Sequence, residues 1–364
     1  MQIKTITCHD VYNHGASLQA YALQTHLESL GHTVEIIDYK PDYLSRHYRL
    51  WSVDNPVYDR FIVKQLYLLA KLPGRLVALK RKKLFDDFTS IYLHKTQRCY
   101  HNNKELKENP PYADVYIAGS DQIWNTRFQN GRDAAFYLDF APKMSFRVAY
   151  AASFATEDVV DEYKSFVRKM LQNFNAVSIR EKCSLPLLAS LGRTDGVAVC
   201  DPVFLISKAQ WENILPKQHE QEKYILVYDS ENSVAIKNIT RRIAKEKNLK
   251  IFNISASRID YADKDFWISS PLDFVRLIRD AQYVVSNSFH ASAFSLIFQR
   301  DFCVVNRSEA INERMKSLLK SYHILERLVT QYADYLLESI DYSEINQIMM
   351  KDIDFSKNFL KTQI

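Results

Sequence analysis

The chain has 364 residues, of which 47% are hydrophobic and 25% are charged, with a formal net charge of +5. This length suits two domains, the composition is that of a globular protein, and the charge is too small to indicate a nucleic-acid partner. The five cysteines form no CxxC pair and no zinc-ligand spacing with histidine, which argues against a zinc site and suits thiols in a reducing cytosol. The chain begins as a strand rather than a signal peptide, and no apolar run reaches membrane-spanning length, so we expect a cytoplasmic protein.

The first part of the chain predicts a β–α–β unit with a polar loop after its first strand. Residues 2–7 and 34–39 have strand character, and apolar residues at helical spacing lie between them. The loop at residues 8–15 lies where nucleotide-type folds bind a ligand, but it lacks GxGxxG, which argues against a dinucleotide. With 7 glycines in the chain, Gly15 and Gly119, each between a strand and a helix, are candidates for close backbone approach to a ligand.

Residues 42–95 are expected to be helical and are rich in aromatic and basic side chains. Five cations stand close to several leucines: Arg75, Lys80, Arg81, Lys82 and Lys83. A basic amphipathic segment of this kind can lie on an anionic membrane surface, and it can equally be a solvated helix face over a small core. Both interpretations stay open, and segment 75–83 is a candidate peripheral membrane contact.

Polar side chains follow two further strands at the point where each strand ends. The strand at 114–118 ends in Gly-Ser-Asp-Gln, and the three polar residues at 120–122 exceed what capping a helix requires. Strands at 148–153 and 176–180 follow, and the second ends on Arg180. At the carboxyl end of a parallel strand Arg180 lies on the ligand edge of the sheet, and the alternative is an ordinary ion pair with Glu181 or another acid.

The second half of the chain predicts a linker at 207–222, followed by alternating strands and helices. Strands are expected at 223–228, 250–254, 283–285 and 302–305, and helices at 234–247, 271–279, 289–298, 311–328 and 331–349. The sequence therefore predicts an α/β protein with two Rossmann-like, doubly wound domains that face a cleft. The expected boundaries are 1–206 for the N-terminal domain, 223–330 for the C-terminal domain and 331–364 for the closing helices.

One junction in the second domain has the character of an anion site. The strand at 283–285 stops at Ser286-Asn287-Ser288, and a helix follows with Asn287 or Ser288 as its N-cap. A helix N-terminus offers backbone N–H groups and a positive dipole end to a phosphate or carboxylate. His290, in the first turn, could donate to that anion or pass a proton, and the alternative is a capped junction whose histidine faces solvent.

Taken together, these motifs resemble the polysaccharide pyruvyl transferase family. The matching stretches run in order over nearly the whole chain: NHGASLQAYAL at 13–23, AGSDQIWN at 118–125, YAASF at 150–154, SIREK at 178–182, DP at 201–202, SNSFH at 286–290, NER at 312–314 and LL at 318–319. The chain departs from the family at His14, where the family usually has tyrosine.

The resemblance implies a GT-B-like fold that moves pyruvate from phosphoenolpyruvate onto two hydroxyls of a sugar in a surface polysaccharide, which forms a cyclic ketal. By this resemblance, phosphoenolpyruvate is bound by Arg180, Asn287, Ser288 and His290. The acceptor, a sugar or a lipid-linked oligosaccharide, is bound by Asn13, Gly15, Ser120, Gln122 and Asn125, with His14 and Arg314 as further candidates.

The chemistry of ketal formation suits these side chains. C3 of the enol ether is protonated, one hydroxyl attacks C2, and a second hydroxyl displaces phosphate. These steps need a general acid, a base for each hydroxyl and cations for the two anionic groups. His290 is the candidate acid, Asp121 the candidate base and Arg180 the candidate cation. No step needs a metal or a cofactor.

Two other functions remain open from the sequence. A GT-B glycosyltransferase with a nucleotide-sugar donor would share the fold and the cleft, and it would release nucleotide instead of inorganic phosphate. A non-catalytic scaffold for polysaccharide assembly would tolerate substitutions in the cleft but not on its surface.

Overall fold

The computed structural model describes residues 1–45, 61–217, 220–307 and 312–364, apart from the side chains of residues 61, 62 and 73. Two parallel sheets carry the fold, one in each half of the chain. Part of the region predicted to be helical at 42–95, residues 46–60, lies outside the described residues.

The N-terminal sheet has the strand order β3-β2-β1-β4-β5-β6-β7, and every pair in it is parallel. Its strands are β1 (Gln2–Ile6), β2 (Thr33–Tyr39), β3 (Lys95–Tyr100), β4 (Val115–Ala118), β5 (Phe146–Ala152), β6 (Ala176–Ile179) and β7 (Val197–Ala198). The helices of this half are α1 (His14–Ser29), α2 (Asp42–Ser45), α3 (Phe61–Tyr92), α4 (Asn103–Glu108), α5 (Lys164–Leu171) and α6 (Leu185–Ser190).

The C-terminal sheet has the order β10-β9-β8-β11-β12-β13, again with parallel pairs throughout. Its strands are β8 (Tyr224–Tyr228), β9 (Lys250–Asn253), β10 (Lys264–Asp265), β11 (Tyr283–Ser286), β12 (Asp301–Val305) and β13 (Leu328–Val329). The helices are α7 (Lys208–Ile214), α8 (Val234–Lys247), α9 (Pro271–Asp280), α10 (Phe289–Phe298), α11 (Glu313–Ser321) and α12 (Tyr342–Gln363).

Each sheet reverses its strand order at one place. This place lies between β1 and β4 in the N-terminal sheet and between β8 and β11 in the C-terminal sheet. Ligands of doubly wound sheets bind at such switch points, beyond the carboxyl ends of the strands. The polar stretches after β1, β4 and β11 all lie at these two positions. The sheet topology therefore puts the motifs of both halves at the edges where a ligand is expected.

The two halves pack against each other through a common apolar core. Leu18 of α1 and Phe88 of α3 belong to the same buried cluster as Phe274 of α9 and Phe294 of α10. The predicted linker at 207–222 takes part in it, because α7 forms there behind a Ser207 capping box. Its Trp211 is fully buried and stands 5.7 Å from the ring of Tyr21 in α1.

The end of the chain differs from the predicted helix at 331–349. A short 3-10 turn at Asp334–Leu337 comes first, and α12 begins only after Asp341, whose side chain accepts a hydrogen bond from the Ser343 backbone. This long helix then crosses both halves. Ile345 belongs to the core shared with the C-terminal sheet, and Leu360 lies in the core of the N-terminal sheet. None of the helices in the four described ranges combines the length and apolar character needed to cross a bilayer.

Because α12 ties the end of the chain to the N-terminal sheet, Leu360→Ala should lower the free energy of unfolding by about 2–5 kcal/mol, the usual cost of such a truncation in a core. Phe355→Ala is the matched control, since Phe355 is 50% exposed on the same helix and should cost much less. Chemical denaturation followed by tryptophan fluorescence measures both. Equal effects of the two substitutions would contradict the docking of α12.

Candidate active site in the cleft between the two sheets

A fully buried carboxylate, Asp201, joins the strand ends of the N-terminal sheet. Its Oδ2 accepts hydrogen bonds from Arg180 Nη1 at 2.9 Å and from Ser120 Oγ at 3.3 Å, and its Oδ1 accepts one from the Val203 backbone at 3.1 Å. Arg180 follows β6, Ser120 follows β4 and Asp201 follows β7. The carboxylate therefore links the ends of three strands of this sheet in one network.

Arg180 is neutralised within this network. Its Nε donates to Glu181 Oε1 at 3.0 Å, and Glu181 in turn accepts from Ser153 Oγ at 2.7 Å. Burial opposes the charge on Arg180, but Glu181 and Asp201 together raise the pKa of its guanidinium above the ordinary value. Burial likewise acts to raise the pKa of Asp201, yet His290 and Arg180 hold that pKa well below its ordinary value. Arg180 is thus an internal ion pair, as the alternative from sequence proposed, with only Nη2 left without a partner.

His290 comes from the opposite half and lies between Asp201 and Gly15. Its Nε2 is 3.7 Å from Asp201 Oδ2, too long for a hydrogen bond, and has no other partner among the described residues. On the other side, a Cβ added to Gly15 would lie 1.9 Å from His290 Nδ1. The close approach predicted at Gly15 therefore exists, but the group that comes close is the histidine of the C-terminal half. A Cβ on Gly119 would meet the Thr7 side chain at 3.2 Å.

Arg314 of α11 completes this side of the cleft. It is 7% exposed, and within the described ranges no residue forms a hydrogen bond or ion pair with its guanidinium. Burial and the nearby charge of Arg180 lower the pKa of Arg314 to about 10, against the opposing effect of Asp121. A buried guanidinium without a counter-ion is costly, and an anion beside it would remove that cost.

Arg180, Phe289 and Arg314 line one cavity at this point. The Phe289 ring lies 4.3 Å from the Arg180 guanidinium and covers it. The cavity volume is about 40 Å³, room for only a few water molecules. A ligand larger than a few water molecules therefore needs side chains of the lining to move before it occupies this cavity.

The sequence matches the family model for polysaccharide pyruvyl transferase over residues 13–309. The chain belongs to the polysaccharide pyruvyl transferase family. The matched range contains the Asp201 network and His290, so the family motifs supply most of the side chains described above. Arg314 and α11 lie just beyond it. No curated protein matches the chain by sequence.

Solved structures share the fold of this family member at low sequence identity. The UDP-GlcNAc 2-epimerase from Neisseria meningitidis bound to UDP-GlcNAc is 12% identical, with a TM-score of 0.51 over 99% of this chain and 100% of that chain. The S. aureus MnaA co-structure with UDP is also 12% identical, with a TM-score of 0.52 over 97% of this chain and 88% of that chain. Such similarity establishes the fold alone, and it confirms the predicted GT-B-like pair of Rossmann-type halves.

The predicted acceptor residues of this pyruvyl transferase family member have mixed surroundings. Asn13 is exposed and caps α1 by accepting from the Ala16 backbone. Asn125 is fully buried, and its amide donates to the Gln122 side chain at 3.1 Å. The Ser120 hydroxyl donates a hydrogen bond to Asp201 Oδ2. Only Gly15 among these residues touches the opposite half through the contact with His290, and the assignment of the set to the acceptor stays a prediction.

Asp121 lies at the edge of the same site. Its backbone has φ 73°, in the left-handed region that aspartate tolerates better than most residues, and its carbonyl accepts from Ser153 N. Its carboxylate acts on the pKa of both Arg180 and Arg314, so it lies within electrostatic reach of both. None of the described residues donates a hydrogen bond to this carboxylate, which leaves it available to a ligand.

The two residues near His290 that are predicted to bind phosphoenolpyruvate both form hydrogen bonds within the protein. Asn287 donates to Asp229 Oδ1 at 2.9 Å and accepts from the Ser230 backbone at 3.1 Å, which links the ends of β8 and β11. Ser288 is the N-cap of α10 and accepts from the Ala291 backbone. Their side chains thus shape the junction, and direct contact with a donor stays a prediction.

His14, the departure from the family motif, packs between the two halves. Its ring stacks on Phe274 with centroids 5.0 Å apart, and its Nε2 lies 3.2 Å from Ser269 Oγ. Burial and the charge of Arg81 hold the pKa of His14 well below its ordinary value, despite the opposing bond with Ser269. A neutral imidazole at this position therefore fills an aromatic contact in the cleft.

Sequence reasoning missed Asp201 as a site residue, and it gave Arg81 only as part of the basic segment 75–83. Asp201 directly follows a strand-like run, at the sheet edge that also carries Arg180, so its position was a usable signal. Nothing in the local sequence distinguishes Arg81 from its neighbours, since it stands within a run of lysines. Across the described residues no cluster of three His, Cys, Asp or Glu side chains could hold a metal ion.

The contact between Gly15 and His290 can be tested by a double-mutant cycle on stability. Gly15→Ala favours the helix locally, but the added methyl group must displace His290, so we expect a net destabilisation of about 1–3 kcal/mol. His290→Ala removes the clash, and the combined variant should recover most of that loss. Urea unfolding midpoints of the four proteins measure the coupling. Strictly additive effects would mean that the two residues do not touch.

Proposed function

We propose that this protein transfers pyruvate from phosphoenolpyruvate to two hydroxyls of a sugar and so forms a cyclic ketal. The observation that carries the proposal is the unpaired, buried guanidinium of Arg314, which lines one cavity together with the internally neutralised Arg180. A buried cation without a counter-ion suits a small, strongly anionic donor. Family membership supports pyruvyl transfer, and the donor and the ketal product are our inference.

In this proposal Arg314 and the free Nη2 of Arg180 bind the phosphate and carboxylate of the donor. His290 gives a proton to C3 of phosphoenolpyruvate, which leaves an oxocarbenium-like centre at C2. The ionised carboxylate of Asp201, 3.7 Å from His290 Nε2, stabilises positive charge on the imidazole. Asp121, whose carboxylate has no internal donor, takes the proton of the first attacking hydroxyl. The second hydroxyl then gives its proton to the unprotonated His290 and displaces inorganic phosphate from C2. The protein's own side chains supply each of these roles without a metal or a cofactor.

A basic groove offers the donor a route to this cavity. Lys182, Lys316 and Lys320 line it, and it shares Lys182 and Ser317 with the cavity at Arg314. Cations along an approach path raise the local concentration of an anionic ligand. The groove therefore favours a donor with several negative charges over a neutral sugar in this part of the cleft.

The alternative of a GT-B glycosyltransferase rests on the shared fold. The two solved structures named above were determined with UDP-GlcNAc or UDP, so the fold by itself is compatible with a nucleotide ligand. Product analysis separates the two functions, since pyruvyl transfer releases inorganic phosphate from phosphoenolpyruvate and glycosyl transfer releases a nucleotide. A scaffold would release neither.

Peripheral contact with the inner membrane surface, for a lipid-linked acceptor, is a second proposal with its own observation. Val63, Leu66, Leu69 and Leu76 of α3 are exposed, and residues 61–85 contain no acidic residue. Apolar side chains beside cations are the pattern of helices that lie on anionic membranes. Within the predicted segment 75–83, Lys80 and Lys83 are exposed, while Arg81 is buried and cannot contact lipid without a rearrangement.

Substitution of Arg314 by methionine should separate binding from folding. We expect the Michaelis constant for phosphoenolpyruvate to rise at least about tenfold, because a hydrogen bond to a charged group is worth about 1.5–3 kcal/mol. The ligand-free protein should become more stable by about 1–3 kcal/mol, since an unpaired buried charge is removed. Acceptor-dependent phosphate release and thermal unfolding measure the two effects.

Lys245→Met is the control for this experiment, because Lys245 is an exposed lysine of α8 and lines neither the groove nor the cavity at Arg314. It should change stability by no more than about 0.5 kcal/mol. An Arg314→Met variant that keeps the normal Michaelis constant would refute the assigned donor site. Wild-type protein that consumes no phosphoenolpyruvate with any acceptor would refute the proposed function.

The membrane proposal predicts salt-sensitive flotation of the protein with vesicles that contain anionic lipid. Leu66→Ser with Leu69→Ser should abolish flotation, and Lys80→Gln with Lys83→Gln should weaken it, because apolar insertion and charge attraction act together. Lys169→Gln with Lys245→Gln changes two exposed lysines on other helices and should have no effect. Flotation that is equal in all variants would exclude α3 as the contact.

A further inference from the structure

Helix α3 turns one arginine inward, away from its exposed lysines. Arg81 is 8% exposed, whereas its neighbours Lys80 and Lys83 are exposed. One hydrogen bond holds it, from Nη2 to the carbonyl of Tyr12 at 3.4 Å, and its Nε is buried without a partner. Among the described residues no carboxylate lies within ion-pair distance of Arg81. The guanidinium is thus buried and uncompensated, like that of Arg314.

Arg81 lies at the seam between the two halves. Its guanidinium is 5.4 Å from the Phe85 ring, which is 5.2 Å from the ring of His14. His14 is in turn 6.1 Å from the ring of Tyr228. Tyr228 ends β8, where it pairs with Ser286 of β11 at the switch point of the C-terminal sheet. This chain of contacts leads from α3 to the place where a doubly wound sheet binds its ligand.

The positive charges of both halves converge on Tyr228. Its hydroxyl forms no hydrogen bond within the described ranges. Burial raises its pKa, while Arg81, Arg307 and Arg314 act in the opposite direction, so all three cations lie close enough to influence it. Arg307 is bonded to Glu231 at 3.0 Å. His14 is held neutral and cannot balance Arg81.

We propose that Arg81, together with the Tyr228 hydroxyl and Arg307, forms a second anion subsite that binds a phosphate or carboxylate group of a substrate. Its Arg81 belongs to the N-terminal half, whereas Arg314 and His290 belong to the C-terminal half, and the proposal rests on the proposed function only for the identity of that substrate. The arrangement makes the ligand a bridge, because Arg81 belongs to the N-terminal half and Tyr228 to the C-terminal half. A bound anion supplies the negative charge that no described residue provides to Arg81.

Two substrates carry an anionic group that this subsite would bind. Phosphoenolpyruvate carries two anionic groups, and the second of them could occupy the subsite while the first contacts Arg314. The other source is the phosphate or diphosphate that joins an acceptor sugar to its carrier. Arg81 binds a substrate anion in either case, and the variants below distinguish the two sources.

The test compares Arg81→Gln with Lys80→Gln, a matched loss of one cation from an exposed neighbour. Inorganic pyrophosphate is the first probe, titrated against the melting temperature of each protein without any substrate. Wild type and Lys80→Gln should bind it alike, and Arg81→Gln should bind it about 10- to 100-fold more weakly, the equivalent of one charge-assisted hydrogen bond. Arg81→Lys keeps the charge without the planar fork and should fall between them, which preserves the test if the glutamine variant folds poorly.

Calorimetry with phosphoenolpyruvate in the absence of acceptor then identifies the source. Weaker binding of phosphoenolpyruvate to Arg81→Gln assigns the subsite to the donor. Unchanged donor binding with a raised Michaelis constant for a phosphate-linked acceptor, but not for the same free sugar, assigns it to the acceptor.

Arg81→Gln that matches wild type with pyrophosphate, phosphoenolpyruvate and acceptor overturns the proposal. The pyrophosphate titration does not depend on catalysis. A protein that fails to use phosphoenolpyruvate would therefore refute the proposed function. The pyrophosphate titration would still decide whether Arg81 forms an anion subsite.

Discussion

The buried carboxylate of Asp201 is the constraint on which the rest of the site depends. It accepts from Arg180 and Ser120, and it lies 3.7 Å from His290 of the opposite half. A single charged group therefore links three strand ends of one sheet and lies beside the first turn of α10. Removal of that charge would leave Arg180 with one counter-ion in a dry environment, a change that usually costs several kcal/mol.

Once Arg180 is neutralised internally, the charge balance of the cleft depends on the other arginines. Arg314 and Arg81 stand on opposite walls, each buried, and neither has a carboxylate partner among the described residues. Buried polar atoms normally have partners, and exceptions concentrate where a ligand or an ion is expected. Two uncompensated guanidinium groups, one from each half, oppose the packing of the halves, and an anionic ligand bound to them would favour it.

This balance connects binding to the motion of the two halves. The cavity at Arg314 holds only a few water molecules, and the Gly15–His290 contact leaves no room for a methyl group. A larger substrate therefore needs groups of the lining to move, and opening of the two halves is one way to provide the room. The apolar core shared by α1, α3, α9 and α10 lies next to this seam, so opening must preserve or repack that core.

Local sequence signals determined much of the fold. The helices at 234–247 and 289–298 have the predicted boundaries, because side-chain caps, helical periodicity and the following turn all act within a few residues. The strand ends that carry Ser120, Arg180 and His290 were predictable for the same reason, and parallel topology brings such ends to one edge. The family motifs added the GT-B-like pairing of the two halves.

Only the tertiary structure decided which charges are paired. Arg180 follows a strand and Arg81 stands among lysines, yet the first has two carboxylate partners and the second has none among the described residues. The start of α12, the stacking of His14 on Phe274 and the contact of Gly15 with His290 likewise escaped local reasoning. Each depends on groups that lie far apart along the chain, and their free energies depend on burial and distance, which exist only after the two halves have packed together.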